Sequence, residues 1–143
     1  MLEKFCGNWK GEETIAPSRW GEGGPATASV AAKLALGGKL LTMDYRAERA
    51  GQPWLQAHAV ITAGQSDAPF ALYWFDSLGF VPQAPAPGQW DGETLTFIRG
   101  SPRGQARHSY RFLDEDNYQL VLESSQDGGA SWAPVMRGQY RRV

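Results

Sequence analysis

Gly7-Asn8-Trp9-Lys10-Gly11-Glu12-Glu13-Thr14, near the start of the chain, reads as an opening β-strand. Ser125-Gln126-Asp127-Gly128-Gly129-Ala130-Ser131-Trp132, near the end, reads as the turn of a late hairpin. Together the two stretches bracket one closed β structure. Between them apolar residues recur with period two in short runs, and turn formers separate the runs at the spacing of a β-meander. Strands are expected at about 7–15, 26–36, 39–49, 54–63, 69–77, 93–100, 105–113, 117–125 and 131–143, with a short one near Phe80 or Gln89 bringing the total to ten.

The connectors supply turn chemistry at each junction: Gly37-Gly38, Ala50-Gly51-Gln52-Pro53, Asp91-Gly92, Pro102-Arg103-Gly104 and Asp114-Glu115-Asp116-Asn117. Adjacent antiparallel strands joined by short turns, with no helical crossover, make an up-and-down barrel, whose closure removes exposed edges. The expected fold is therefore all-β, a single antiparallel up-and-down barrel of about ten strands, with an open sandwich as the runner-up. Two segments interrupt the rhythm. Residues 16–25, A-P-S-R-W-G-E-G-G-P, read as a structured loop or lid carrying Trp20, and residues 81–88, with three prolines, read as an extended surface connection. Residues 1–5 read as one helical turn that plugs a barrel end.

A chain of 143 residues fits one domain, 1–143, with one core. Hydrophobic residues make up 42% and aromatics 12%, with six Trp, which argues for a folded interior with large rigid side chains. Fourteen Lys and Arg balance fifteen Asp and Glu, so no basic face is implied and nucleic acid is excluded as an expected partner. No stretch approaches the roughly 20 apolar residues that span a bilayer. The single cysteine, Cys6, and an N-terminus without a long apolar run point to a reduced, cytoplasmic setting. Cys6 itself reads as a small apolar residue, because no thiolate-stabilising partner is near it in sequence.

Strand parity selects the candidate site residues. In the strand at 105–113, His108, Tyr110 and Phe112 alternate with Arg107, Ser109 and Arg111, so the three rings face inward. An inward imidazole and phenol among apolar rings suit a cavity that orients a small ligand; the plainer reading is a core His and Tyr that satisfy each other or the backbone. On the fourth strand His58 shares a face with Gln56, Val60 and Thr62, opposite Ala57, Ala59 and Ile61, and parity leaves the inner face undecided. Trp74 and Asp76 share a face on the fifth strand. The expected ligand-binding set is His58, Trp20, Trp74, Asp76, His108 and Tyr110, around a small, mostly apolar molecule. His58, Asp76 and Ser77 supply the residue types of a hydrolase but none of its diagnostic spacings, so no catalytic residues are assigned and a non-enzyme is preferred. Two His, one Cys and no local cluster argue against a metal site, and no cofactor is assigned. Apolar residues on both faces of 70–75 suggest that a second subunit covers one of them, in a homodimer.

Ser125-x-Asp127-x-Gly129-x-x-Trp132 fits the S-x-D-x-G-x-x-W pattern of the Asp box. There Asp127 accepts turn N–H groups, Gly129 permits the backbone conformation and Trp132 covers the hairpin. The box resembles those repeated in sialidases; a single copy in so short a chain brings no glycosidase activity with it. Gly7-Asn8-Trp9 resembles the G-x-W of the first lipocalin strand. That resemblance implies a structural Trp9 closing the barrel floor under Arg141 or Arg142 from the last strand. The wider set, G-N-W-K-G-E-E-T-I-A-P-S-R-W, Y-W-F-D-S, W-D-G-E-T-L and the final G-Q-Y-R-R, resembles an uncharacterised family of small bacterial lipocalin-like (calycin-type) domains. A more distant similarity runs to nitrobindin-type haem barrels, which open on G-x-W-x-G-x-G. Here Glu13 replaces the third glycine, and the histidine expected near the C-terminus as haem ligand is missing, since no His follows His108; the alternative this similarity implies is a haem or other cofactor-binding barrel with weak catalytic activity, with His58 or His108 as axial ligand in a different position. A further alternative is a packed barrel acting as an interaction module.

Overall fold

The computed structural model describes residues 1–19, 21–64, 69–79 and 84–143. A short 3-10 helix, Leu2–Phe5, precedes ten strands: β1 Gly7–Ile15, β2 Gly24–Ala35, β3 Leu40–Arg49, β4 Gln52–Ala63, β5 Phe70–Asp76, β6 Ala86–Trp90, β7 Thr94–Ser101, β8 Gly104–Phe112, β9 Asn117–Ser125 and β10 Ala133–Arg142. Each strand pairs antiparallel with its sequence neighbours, and β1 pairs with β10 from Trp9↔Arg142 to Ile15↔Met136, which closes the barrel. The fold is all-β, a closed up-and-down barrel of ten strands. No helix among the described residues is long and apolar enough to cross a membrane.

Several bounds differ from the sequence expectation: β4 begins at Gln52, inside the expected turn at 50–53, and β10 begins at Ala133 rather than 131. The second strand starts at Gly24 rather than 26, because Gly24 and Pro25 pair with Ile15 and Thr14. The short strand falls at Ala86–Trp90, so residues 86–88 belong to the sheet and not to a surface connection. Pro87 lies there on the outer side, in the shortest strand of the wall. β6 meets β5 at 70–72 and β7 at 95–97, so it adds no rung beside Tyr73–Asp76 of β5 or Ile98–Ser101 of β7.

The interior is divided by residue size. β2, β3 and β4 present a wall of small buried side chains, among them Ala26, Ala28, Ala47, Ala57 and Ala59, while β8, β9 and β10 contribute the buried rings of Tyr110, Tyr118 and Tyr140. Tyr140 stacks on Tyr118 at 4.8 Å and 8°. The Tyr140 ring occupies the space beside Gly11 and Gly138, where a Cβ would fall within 2.4 Å and 2.7 Å of it. Both glycines are thus needed for the close approach of ring and backbone.

The helix closes one end, with Leu2 and Phe5 buried. Phe5 meets Tyr110, Phe112 and Tyr118 edge-on, at centroid distances of 4.8–6.0 Å. The Trp9 indole donates to the Phe5 carbonyl at 2.8 Å. Arg142, not Arg141, lies over the Trp9 ring at 4.2 Å. The correction follows from strand alternation: Tyr140 and Arg142 face inward on β10, and Arg141 points out beside Lys10. Arg142 also donates to the carbonyls of Cys6 and Glu115 and to Asp116, which ties the helix to the turn between β8 and β9.

Candidate functional site

The end of the barrel opposite the helix carries the interior's polar groups. On β1, Trp9, Gly11 and Glu13 share the inner face, so the strand that seals the floor places a carboxylate, 3% exposed, in the other half. The Tyr45 hydroxyl lies 2.8 Å from both Glu13 oxygens and donates to the carboxylate, and the Tyr140 hydroxyl donates to Oε2. Burial, and then the Glu13 charge, push both phenols far above their ordinary range. They remain neutral donors at any physiological pH.

The Tyr45 ring lies 6.2 Å from Trp74, and Trp74 lies 5.6 Å from the His108 imidazole, so aromatic contacts run from the carboxylate across to β8. The Trp74 indole donates to Asp76 at 2.9 Å, and the second Asp76 oxygen accepts the Leu78 N–H at 3.0 Å. His108 is 8% exposed, and its Nδ1 has no hydrogen-bond partner among the described residues. Burial, and then the positive charge of Arg99, lower the imidazole to about 4, so it is neutral at pH 7. Arg99 follows Leu95 and Phe97 on the inward parity of β7 and is half-buried. Trp74, Asp76 and Arg99 all lie where β6 adds no rung to the wall.

The sequence-predicted residues fall into separate places. Trp74, Asp76, His108 and Tyr110 are on the inner face. Tyr110, 1% exposed, sits in the ring cluster with Phe5, Phe97 and Tyr118, and burial raises its phenol. His58 is on the outside: Ala57, Ala59 and Ile61 take the inner face of β4, where all three are buried. Its Nδ1 pairs with Asp44 at 2.8 Å in an outer concavity of about 310 Å³ that also holds Phe75 and Ser77. The Ser77 hydroxyl accepts the Gln56 N–H, and Asp76 is engaged with Trp74, so the three residue types do not assemble into a hydrolytic unit. Trp20 lies outside the described residues.

Asp127, Gly129 and Trp132 build the hairpin between β9 and β10. Ser125 donates to Asp127 at 2.8 Å and accepts the Gly129 N–H at 2.9 Å, while Asp127 accepts the Ser131 N–H at 2.9 Å. The bond from the Ser131 hydroxyl, first among these, holds the Asp127 carboxyl near 2. Gly129 has φ +92°, and Arg107 covers Trp132 at 4.1 Å while pairing with Glu123 at 3.0 Å. The side chains of Ser125, Asp127 and Ser131 are thus engaged within the turn itself.

Sequence reasoning missed Glu13, Tyr45, Tyr140 and Arg99. The signal was present as parity: a residue four positions from an inward Trp9 on one strand also faces inward, and so does the residue after Phe97 by two. A larger outer groove, of about 750 Å³, crosses β1, β2, β3 and β10 and is lined by Lys10, Glu12, Arg46, Glu48 and Arg141. Its charges are of mixed sign and exposed to water.

Fold and site define a closed antiparallel barrel with one plugged end and a buried polar cluster toward the other. The chain belongs to the family described as "Protein of unknown function (DUF1579)", whose model matches residues 1–142. No curated protein matches it in sequence. Among solved structures it is similar to the S-type phycobiliprotein lyase CPES from Guillardia theta, with TM-score 0.71 and 11% identity over 99% of this chain and 90% of that one. It is also similar to Rv2717c from M. tuberculosis, with TM-score 0.74 and 13% identity over 99% and 94%. A DUF3598 protein of unknown function from Nostoc punctiforme matches with TM-score 0.60 and 12% identity, covering 100% of this chain and 49% of that one. At these identities the likeness is one of fold.

Proposed function

We propose that the chain is a lipocalin-like binding barrel that holds a small, mostly apolar molecule in the half of its interior away from the helix. The observation that carries the reading is the unpartnered Nδ1 of His108. A buried polar atom without a partner costs about 1–3 kcal/mol, and native interiors rarely leave one unless a water, ion or guest completes it. The surroundings suit an apolar guest with one polar contact: the Trp74 ring on one side and Leu122, half-buried, paired with His108 from β9. A fold shared with a protein named as a phycobiliprotein lyase favours a barrel that handles a molecule over one that only packs.

A haem fits these residues poorly. His58 faces outward, and His108 is flanked by Trp74 at 5.6 Å and by its cross-strand neighbour Phe97, in the space a macrocycle would need. Tyr73 and Phe75, 37% and 47% exposed on the outer face of β5, are the surface through which a homodimer would form. Native mass spectrometry of the protein from its own source tests both readings: one organic molecule per chain is expected, depleted in His108→Phe, with dimers among the ions. A bare chain that releases no small molecule on denaturation contradicts the binding reading.

A further inference from the structure

We propose that the guest is an amphiphilic acid, whose carboxylate lies between Arg99 and His108 and whose apolar tail lies along Trp74. The inference rests on the binding reading above and adds the chemical class of the ligand. Arg99 is half-buried on the inner parity of β7, and among the described residues no carboxylate lies within ion-pair distance of it. A half-buried guanidinium without a counter-charge loses part of its hydration, and an anion supplied by the guest offsets that loss. Phe97, two residues before Arg99, pairs across the ladder with His108, so the cation and the unpartnered imidazole nitrogen border the same space.

The other charged groups of this half do not compete for that role. Both Asp76 oxygens already accept, from the Trp74 indole and the Leu78 N–H. The Glu13 carboxylate is capped by the Tyr45 and Tyr140 hydroxyls, which leaves it poorly placed to bind an amine on the guest. The neutral His108 imidazole, as its Nδ1–H tautomer, donates to a carboxylate, and Arg99 offers the planar fork that carboxylates match. A neutral guest would use His108 alone and leave Arg99 unpaired.

The test is a calorimetric titration at pH 7 with decanoic acid, decan-1-ol and methyl decanoate, which share one tail and differ in the head. The acid is expected to bind at least about tenfold more tightly than the alcohol or the ester, the worth of one hydrogen bond to a charged group. Arg99→Gln should abolish that preference and leave the alcohol's affinity unchanged, and Arg99→Lys should retain part of it; circular dichroism verifies that both variants fold. Equal affinities for acid and alcohol in the wild type overturn the acid inference and leave the binding reading standing. Absence of binding by all three overturns both.

Discussion

Replacing Glu13 by Leu is expected to destabilise the barrel more than replacing it together with both of its tyrosine partners. The carboxylate is 3% exposed and receives two phenol hydroxyls. Glu13→Leu leaves those hydroxyls buried without an acceptor, at about 1–3 kcal/mol each, or roughly 2–6 kcal/mol in all. Relief of the buried charge offsets part of this. In the triple variant Glu13→Leu, Tyr45→Phe, Tyr140→Phe, every polar atom of the cluster gives way to apolar surface of similar shape, a change that is near neutral or stabilising in comparable interiors. Tyr45→Phe alone removes one bond to a charged group, worth about 1.5–3 kcal/mol. Urea unfolding followed by Trp fluorescence, with linear extrapolation, measures all four proteins. A single Glu13→Leu variant within about 0.5 kcal/mol of wild type, the ordinary range for surface changes, or a triple variant less stable than the single one, refutes the reasoning.

His108 imposes a pH dependence. With a folded value of about 4 and an unfolded value near 6.5, the unfolded chain binds the extra proton between them. Stability should therefore be level above about pH 6.5 and fall as the pH drops toward 4, by up to roughly 3 kcal/mol, a slope that His108→Gln removes from a denaturation series. Gly11→Ala places a methyl group against the Tyr140 ring, and an overpacking cost of about 1–3 kcal/mol should appear in the urea midpoint. Arg142→Ala, which uncovers Trp9 and frees the carbonyls of Cys6 and Glu115, should cost about 1–3 kcal/mol. Arg141→Ala should stay within about 0.5 kcal/mol of wild type in the same assay.

The barrel was legible because its signals were local and repeated: alternation within each strand, and a turn former at each junction. Bounds shifted where pairing decided them, as at Gly24, which the sequence around Pro25 marks as loop and the partner Ile15 draws into the sheet. Parity was also enough to place His108 and Tyr110 inward, since aromatic and charged residues alternate so sharply on β8. It was not enough for His58. The inner face of β4 is the Ala57, Ala59 and Ile61 side, and small side chains alone do not say which face the closed barrel buries. Glu13 escaped notice because a charged residue in a strand reads as solvent-facing, although Trp9 on the same strand already fixed its direction. Arg99, beside an unremarkable Ile98 and Gly100, drew meaning only from the unpartnered imidazole on the next strand.

The nitrogen spectrum of the His108 imidazole tests the central claim most directly. On titration with decanoic acid, the Nδ1 resonance is expected to move as it gains a partner, together with the Trp74 indole signal, while the Trp9 indole at the floor stays in place. Unchanged His108 and Trp74 signals, with shifts confined to Lys10, Arg46 and their neighbours in the outer groove, would contradict a guest inside the barrel.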